Sequence, residues 1–265
     1  MSRISATFKQ LSSQGRKALI PFFSVGDPTL ALCVPTMHAM VKGGANLIEL
    51  GVPFSDPMAD GPTIQRSSER ALKNGVSLRD VLHAAAEFRK TDDQTPLVLM
   101  GYANPVEQMG RAEFARVCAE SGVDGVLIVD YPPDEARDLA LHLAPRHVDS
   151  IFLLSPTSTD ARMREISEMA TGYIYYVSLR GVTGAGNIDV KDVAQQISRI
   201  KAVAKVPIGV GFGIRDGATA RLLSEVADAV VVGSRIVEEI EASTAAEVPA
   251  RVGALLNQFR TAMDA

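Results

Sequence analysis

The sequence lacks what a membrane span, a nucleic-acid binder or a metal centre would need. None of its apolar runs reaches the roughly 18 residues that cross a bilayer. The polar N-terminus does not have the pattern of a signal peptide. Positive charge is not in surplus: 27 basic against 31 acidic residues leave a net charge of −4, which argues against nucleic acid or an anionic membrane as the main partner. The two cysteines, Cys33 and Cys118, lie far apart in helical patterns, too few for a disulfide framework or a metal site, and read as ordinary buried thiols. A dinucleotide fingerprint is missing after the first strand, and no linker or low-complexity segment divides the chain. What is left is a cytoplasmic globular protein, expected to form one domain over residues 1–265.

What is present is a regular alternation. Eight β-rich runs, at 19–25, 45–50, 96–102, 125–129, 150–154, 172–178, 206–211 and 227–232, are separated by amphipathic stretches with helical spacing. Nearly continuous Val/Ile/Leu strands between helices indicate a parallel sheet covered on its outer face. Eight such units in this length predict a (β/α)8 TIM barrel, α/β in class, with an extra N-terminal helix near 4–14 and a C-terminal helix near 248–262.

Active sites of such barrels lie at the C-terminal ends of the strands. Those ends carry Gly26-Asp27, Glu49, Tyr102 with Asn104, Asp130, Ser155, Gly211 to Gly213 and Gly233-Ser234, with Thr183 in a long loop. No lysine stands there to form a Schiff base, and His38, His83, His142 and His147 map to outer helices or strand approaches, so neither a metal nor a histidine-activated nucleophile is offered. Carboxylates remain. Alternation sets Leu47 and Glu49 on one face of their strand, and no arginine or lysine on a neighbouring strand can pair with Glu49. An inward Glu49 among apolar neighbours has its pKa raised, as suits a group that gives and takes a proton. Asp60 ends the Pro-rich loop 51–61, longer than most βα connections and suited to a lid.

Three glycine-bearing segments, 181–186, 211–215 and 232–235, fall in the last three βα loops, where backbone N–H groups and a helix N-terminus suit a phosphate. Ser234 adds a hydroxyl. Phe22, Ile64, Met100, Leu127, Val129, Leu153 and Phe212 are apolar candidates for the mouth, and Tyr102, Tyr175 and Thr183 are possible contributors. Together they point to a small phosphorylated substrate with an apolar body.

These residues also carry a resemblance. ELGVPFSDPMADGPTIQ at 49–65, PFFSVGDP at 21–28, MGYANP at 100–105, VDYPP at 129–133, YVSLRGVTGA at 176–185 and GVGFGIR at 209–215 closely resemble the tryptophan synthase α chain family, over essentially the whole chain. The resemblance implies retro-aldol cleavage of indole-3-glycerol phosphate to indole and glyceraldehyde 3-phosphate, a carbon–carbon lyase reaction without metal or cofactor. It implies that Glu49 protonates the ring carbon and helps remove the side-chain hydroxyl proton, while Asp60 holds the indole N–H. Tyr175 would neighbour the reacting centre, and Thr183 would contact Asp60 in a closing loop. Gly184, Gly213, Gly233 and Ser234 match phosphate-binding positions; Phe22, Tyr102, Leu127 and Phe212 match indole-facing ones. A partner is implied as well: a β chain carrying pyridoxal phosphate, in an α2β2 heterotetramer, docked near Asp56, Pro57, Asn104 and Pro132. Three alternatives remain at this stage: a self-sufficient indole-forming lyase, another phosphosugar-binding barrel isomerase, and a non-catalytic regulatory subunit.

Overall fold

A computed structural model describes residues 2–178, 190–211 and 213–265. Nine strand segments form one sheet: β1 (Ala18–Ser24), β2 (Ile48–Gly51), β3 (Leu97–Gly101), β4 (Gly125–Ile128), β5 (Asp149–Ser150), β6 (Phe152–Leu154), β7 (Ile174–Val177), β8 (Ile208–Gly211) and β9 (Ala229–Val232). Their order is β5-β4-β3-β2-β1-β9-β8-β7-β6, and every pairing is parallel. β5 bonds to β4 and β6 bonds to β7, with Ile151 alone between them; the Ile151 N–H donates to Val126 O at 2.9 Å. The single fifth strand expected at 150–154 is therefore two short pieces, one for each neighbour, and the chain itself carries the sheet round into a nearly closed barrel.

The helices are α1 (Arg3–Ser13), α2 (Leu30–Lys42), α3 (Pro62–Lys73), α4 (Leu78–Arg89), α5 (Ala103–Met109), α6 (Arg111–Glu120), α7 (Pro133–Leu143), α8 (Asp160–Met169), α9 (Val190–Lys201), α10 (Gly217–Ser224), α11 (Ser234–Glu241) and α12 (Val248–Asp264). Local chemistry sets several starts. Pro62 and Pro133 occupy first turns, where a missing N–H costs nothing. Ser77 and Asp80 close a capping box on α4, and Thr159 and Asp216 cap α8 and α10. The sequence reading missed α5 and α11, which have seven and eight residues, too short for a helical period to stand out.

Alternation along the strands divides the apolar residues into two layers. Leu19, Phe23, Ile48, Leu50, Leu99 and Val210 face the helices, whereas Ala18, Ile20, Leu47, Val98, Leu127, Tyr173, Tyr175 and Val231 fill the barrel. The inner layer is stoppered from below by Ile4, Phe8 and Leu11 of α1. Each of those side chains stabilises the fold by about 1.5–3 kcal/mol through burial. Arg3 to Asp124 (2.9 Å) and Ser2 to Asp149 (2.6 Å) hold that helix in place. With the lower end plugged, the open end of the barrel is the one at the strand C-termini.

Candidate active site

Glu49 lies on β2 in register with Phe22 of β1 and Val98 of β3, and its side chain points into the barrel. It is completely buried. Oε1 accepts a short hydrogen bond from the Tyr173 hydroxyl, and Oε2 has no hydrogen-bond partner among the described residues. No cation stands on β1 or β3 to stabilise its charge. Burial therefore dominates, pushing the carboxyl from its ordinary 4.5 to about 7, with the Tyr173 hydrogen bond opposing the rise. Tyr173 itself is held well above the ordinary tyrosine range by burial and by Glu49, so it stays a neutral donor.

Asp60 closes the loop between β2 and α3. Its Oδ2 accepts from the Tyr102 hydroxyl at 3.0 Å, and the Tyr102 hydroxyl oxygen accepts in turn from the Ala59 N–H at 3.1 Å. The Tyr102 ring stacks on Phe54, near the start of the same loop, with centroids 5.1 Å apart. One tyrosine at the end of β3 thus grips the loop near both of its ends. Burial raises the Asp60 carboxyl to about 6, against the Tyr102 hydrogen bond. Tyr102 is also raised, by burial first and then by the Asp60 charge, so it too remains a donor.

Both carboxyls line one cavity. Its walls are mostly apolar: Phe22, Ile64, Met100, Val129, Leu153 and Val231. Tyr175 adds its hydroxyl, raised by burial, then by Glu49, then by Asp60, which puts it within the fields of both acids. Backbone space decides how these rings fit. A Cβ on Gly211 would lie 2.0 Å from the Tyr175 hydroxyl, and one on Gly51 would lie 2.6 Å from Phe22 Cζ.

The remaining wall is Gly213, Ile214, Gly233 and Ser234. Gly213 has φ +78°, a left-handed conformation that favours glycine. Gly233 and Ser234 open α11, so the unpaired N–H groups of that helix start beside the cavity, as a phosphate would require.

The structure brings Phe22, Glu49, Asp60, Ile64, Met100, Tyr175, Gly213, Gly233 and Ser234 to one cavity. Tyr102 does not line that cavity and donates its hydroxyl to Asp60. Leu127 is packed inside the barrel, 1% exposed, and does not line the cavity. Thr183, Gly184 and Phe212 lie outside the described residues. Tyr173 was missed, although it sits two residues before Tyr175 and so shares its inward face. Asp56, Asn104 and Pro132 are exposed and Pro57 is half-buried; Asp56 and Pro57 lie in the loop after β2, Asn104 in the first turn of α5 after β3, and Pro132 just before α7 after β4, three adjacent strands. Met58, at the tip of the first loop, is 83% exposed.

Cys33 and Cys118 are buried free thiols. Among the described residues no three His, Cys, Asp or Glu side chains are grouped to hold a metal ion, and no helix is long and apolar enough to cross a membrane.

With known proteins, the chain matches the family model of the tryptophan synthase alpha chain over residues 8–264. It is 57% identical to the tryptophan synthase alpha chain of Nitrosomonas europaea, covering 100% of this chain and 96% of that one, and 58% identical to that of Dechloromonas aromatica, covering 100% and 98%. Among solved structures it resembles tryptophan synthase subunit alpha from Legionella pneumophila, with a TM-score of 0.92 and 42% identity over 100% of this chain and 99% of the other.

Proposed function

The chain belongs to the tryptophan synthase alpha chain family, which cleaves indole-3-glycerol phosphate and passes indole to a β subunit, and on that premise we propose that Glu49 and Asp60 divide the chemistry between them. In its neutral form Glu49 gives a proton to the indole ring carbon that bears the side chain. The ring becomes an iminium-like cation and thus an electron sink. Asp60, as an anion, accepts the indole N–H and steadies that cation. The ionised Glu49 then assists removal of the side-chain hydroxyl proton; the C–C bond breaks, its electron pair returns to the ring, and an aldehyde forms. Indole and glyceraldehyde 3-phosphate result.

The observation that carries this reading is one apolar cavity holding two carboxyls, raised to about 7 and about 6, beside a glycine-lined helix start. A group titrating near neutral pH is suited to act as acid and base in one turnover. Gly213, Gly233 and Ser234 would hold the phosphate, Phe22, Ile64 and Met100 would face the ring, and Tyr175 would border the reacting centre. Residues 1–265 would act as one cytoplasmic catalytic domain without a cofactor of its own. The rim at Asp56, Pro57, Asn104 and Pro132 would dock a β chain carrying pyridoxal phosphate in an α2β2 assembly.

The test is direct. Indole-3-glycerol phosphate should yield indole, faster when a β chain is added, with a complex of α2β2 mass in sedimentation. No indole release with or without the β chain would overturn the reading.

A further inference from the structure

Asp60 and Ser234 belong to different loops, yet the helices that follow them are fastened together. α3 starts two residues after Asp60, and α11 starts at Ser234 itself. In the loop after β1, Asp27 has a side chain with no exposed surface. Its carboxylate accepts from Ser67 Oγ at 2.6 Å and from Arg70 Nε and Nη2 at 2.8 and 2.7 Å, all on α3. The third nitrogen of Arg70, Nη1, donates to Glu241 Oε1 at 2.9 Å, at the last residue of α11. Arg66, one turn earlier on α3, forms a two-point pair with the same Glu241 carboxylate at 3.0 and 2.9 Å. Nearer the mouth, Phe22, Ile64 of α3 and Val237 of α11 make a small apolar cluster of their own. The two helices are therefore joined at two levels, apolar beside the cavity and ionic farther along.

The chemistry of the ionic level is geometric. A guanidinium is a rigid planar fork, and engaging two carboxylates at once fixes their separation as a lysine could not. Exposed ion pairs contribute little to stability, and Arg66, Arg70 and Glu241 are all partly exposed. What such a junction supplies is position, and catalysis is sensitive to displacements of about 0.5–1 Å.

We infer that Arg70 and Glu241 are positioning residues, which set the separation between the Asp60 carboxylate and the turn Gly233–Ser234. A substrate held by its phosphate then meets Asp60 at the indole N–H only if the linker between ring and phosphate has the right length. This inference rests on the roles proposed above for Asp60 and Ser234.

Glu241→Gln is the informative variant, because Asp27 keeps Ser67 and both Arg70 contacts and the fold keeps its buried carboxylate satisfied. We expect kcat to fall about tenfold. Inhibition by glycerol 3-phosphate, which needs only the phosphate turn, should stay within about twofold. The ratio of inhibition constants for indol-3-yl alkyl phosphates with three- and four-carbon linkers should shrink toward one, and Arg70→Lys should shift it the same way. In an Asp60→Asn background, Glu241→Gln should add nothing further. An unchanged kcat and linker ratio in Glu241→Gln, while Asp60→Asn is inactive, overturns the positioning role alone. So does a parallel fall of kcat, glycerol 3-phosphate affinity and Tm, which marks a merely structural role. Normal cleavage by Asp60→Asn sinks the assignment of Asp60, and the positioning role with it.

Discussion

The hydroxyl of Tyr173 donates to Oε1 of Glu49 inside the barrel, and Oε2 of the same carboxyl has no hydrogen-bond partner among the described residues. One donor is too little to hold a buried carboxylate ionised, so the pair keeps Glu49 near the point where it gives and takes a proton equally well. The Phe8 ring of α1 lies 6.0 Å from that of Tyr173, so the plug of the barrel also backs the donor.

Glu49→Gln removes the acid without changing side-chain size, and cleavage should drop by roughly 10²–10⁴-fold. Stability should move the other way. Glu49 rises from 4.5 unfolded to about 7 folded, so the native state favours its neutral form. Its favourable contribution is complete below pH 4.5 and is lost as the pH climbs through 7. The variant should therefore melt higher than the parent at pH 8, by at most on the order of 3 kcal/mol, with the difference closing toward pH 5. Thermal melts of both proteins across that window check the sign.

Tyr173→Phe should leave the fold intact and move Glu49 upward. The hydrogen bond from Tyr173 lowers the Glu49 pKa, so its loss should raise the titration point by about one pH unit. An NMR titration of the Glu49 carboxyl, assigned by comparison with Glu49→Gln, measures this. A downward movement would contradict the geometry.

Asp60 must be ionised to steady a cation, and burial places it at about 6. As the pH falls through 6, kcat/KM should decline because Asp60 gains its proton. Tyr102→Phe removes the donor that favours the anion, so the decline should begin at higher pH, with a loss of roughly tenfold in kcat/KM at pH 7. Steady-state profiles of the two proteins between pH 5 and 8 decide it.

Gly211, packed against Tyr175, and Gly233, in the cavity wall, should respond differently to alanine. At Gly211 the new methyl collides with the Tyr175 hydroxyl, so Gly211→Ala should lose about 1–3 kcal/mol of stability along with activity. At Gly233 the atoms nearest a Cβ belong to Phe22, at an ordinary 3.5 Å, and φ is negative there. Gly233→Ala should keep its Tm within the range of neutral substitutions, about 0.5 kcal/mol, and raise KM by crowding the phosphate. Calorimetry and KM measurements on both variants separate the two effects.

The fold was legible because a barrel repeats one local instruction. Each apolar run of 4–8 residues followed by an amphipathic stretch specifies a strand and its covering helix, and eight repeats leave few architectures. Alternation put Glu49 on the face of Leu47, and no cation lies on the strands beside it, but the inward turn of that face came from the closed barrel. The glycines of the last loops suggested an anion site because glycine lets backbone N–H groups approach closely. All these signals are local in sequence.

What the tertiary structure alone decided depends on residues that no periodicity links. Tyr173 and Glu49 are 124 positions apart, and Arg70 and Glu241 are 171 apart. Tyr102 was visible as a mouth residue, but its grip on both Phe54 and Asp60 follows from where the loop folds back. The split of the fifth strand at Ile151 follows from closing the sheet, which no single strand can signal. Residue type and order thus determined the barrel, the two acids and the glycine-bearing loops; the distances that give Glu49 one donor, Asp60 a held loop and α3 a fixed relation to α11 exist only once the chain has closed on itself.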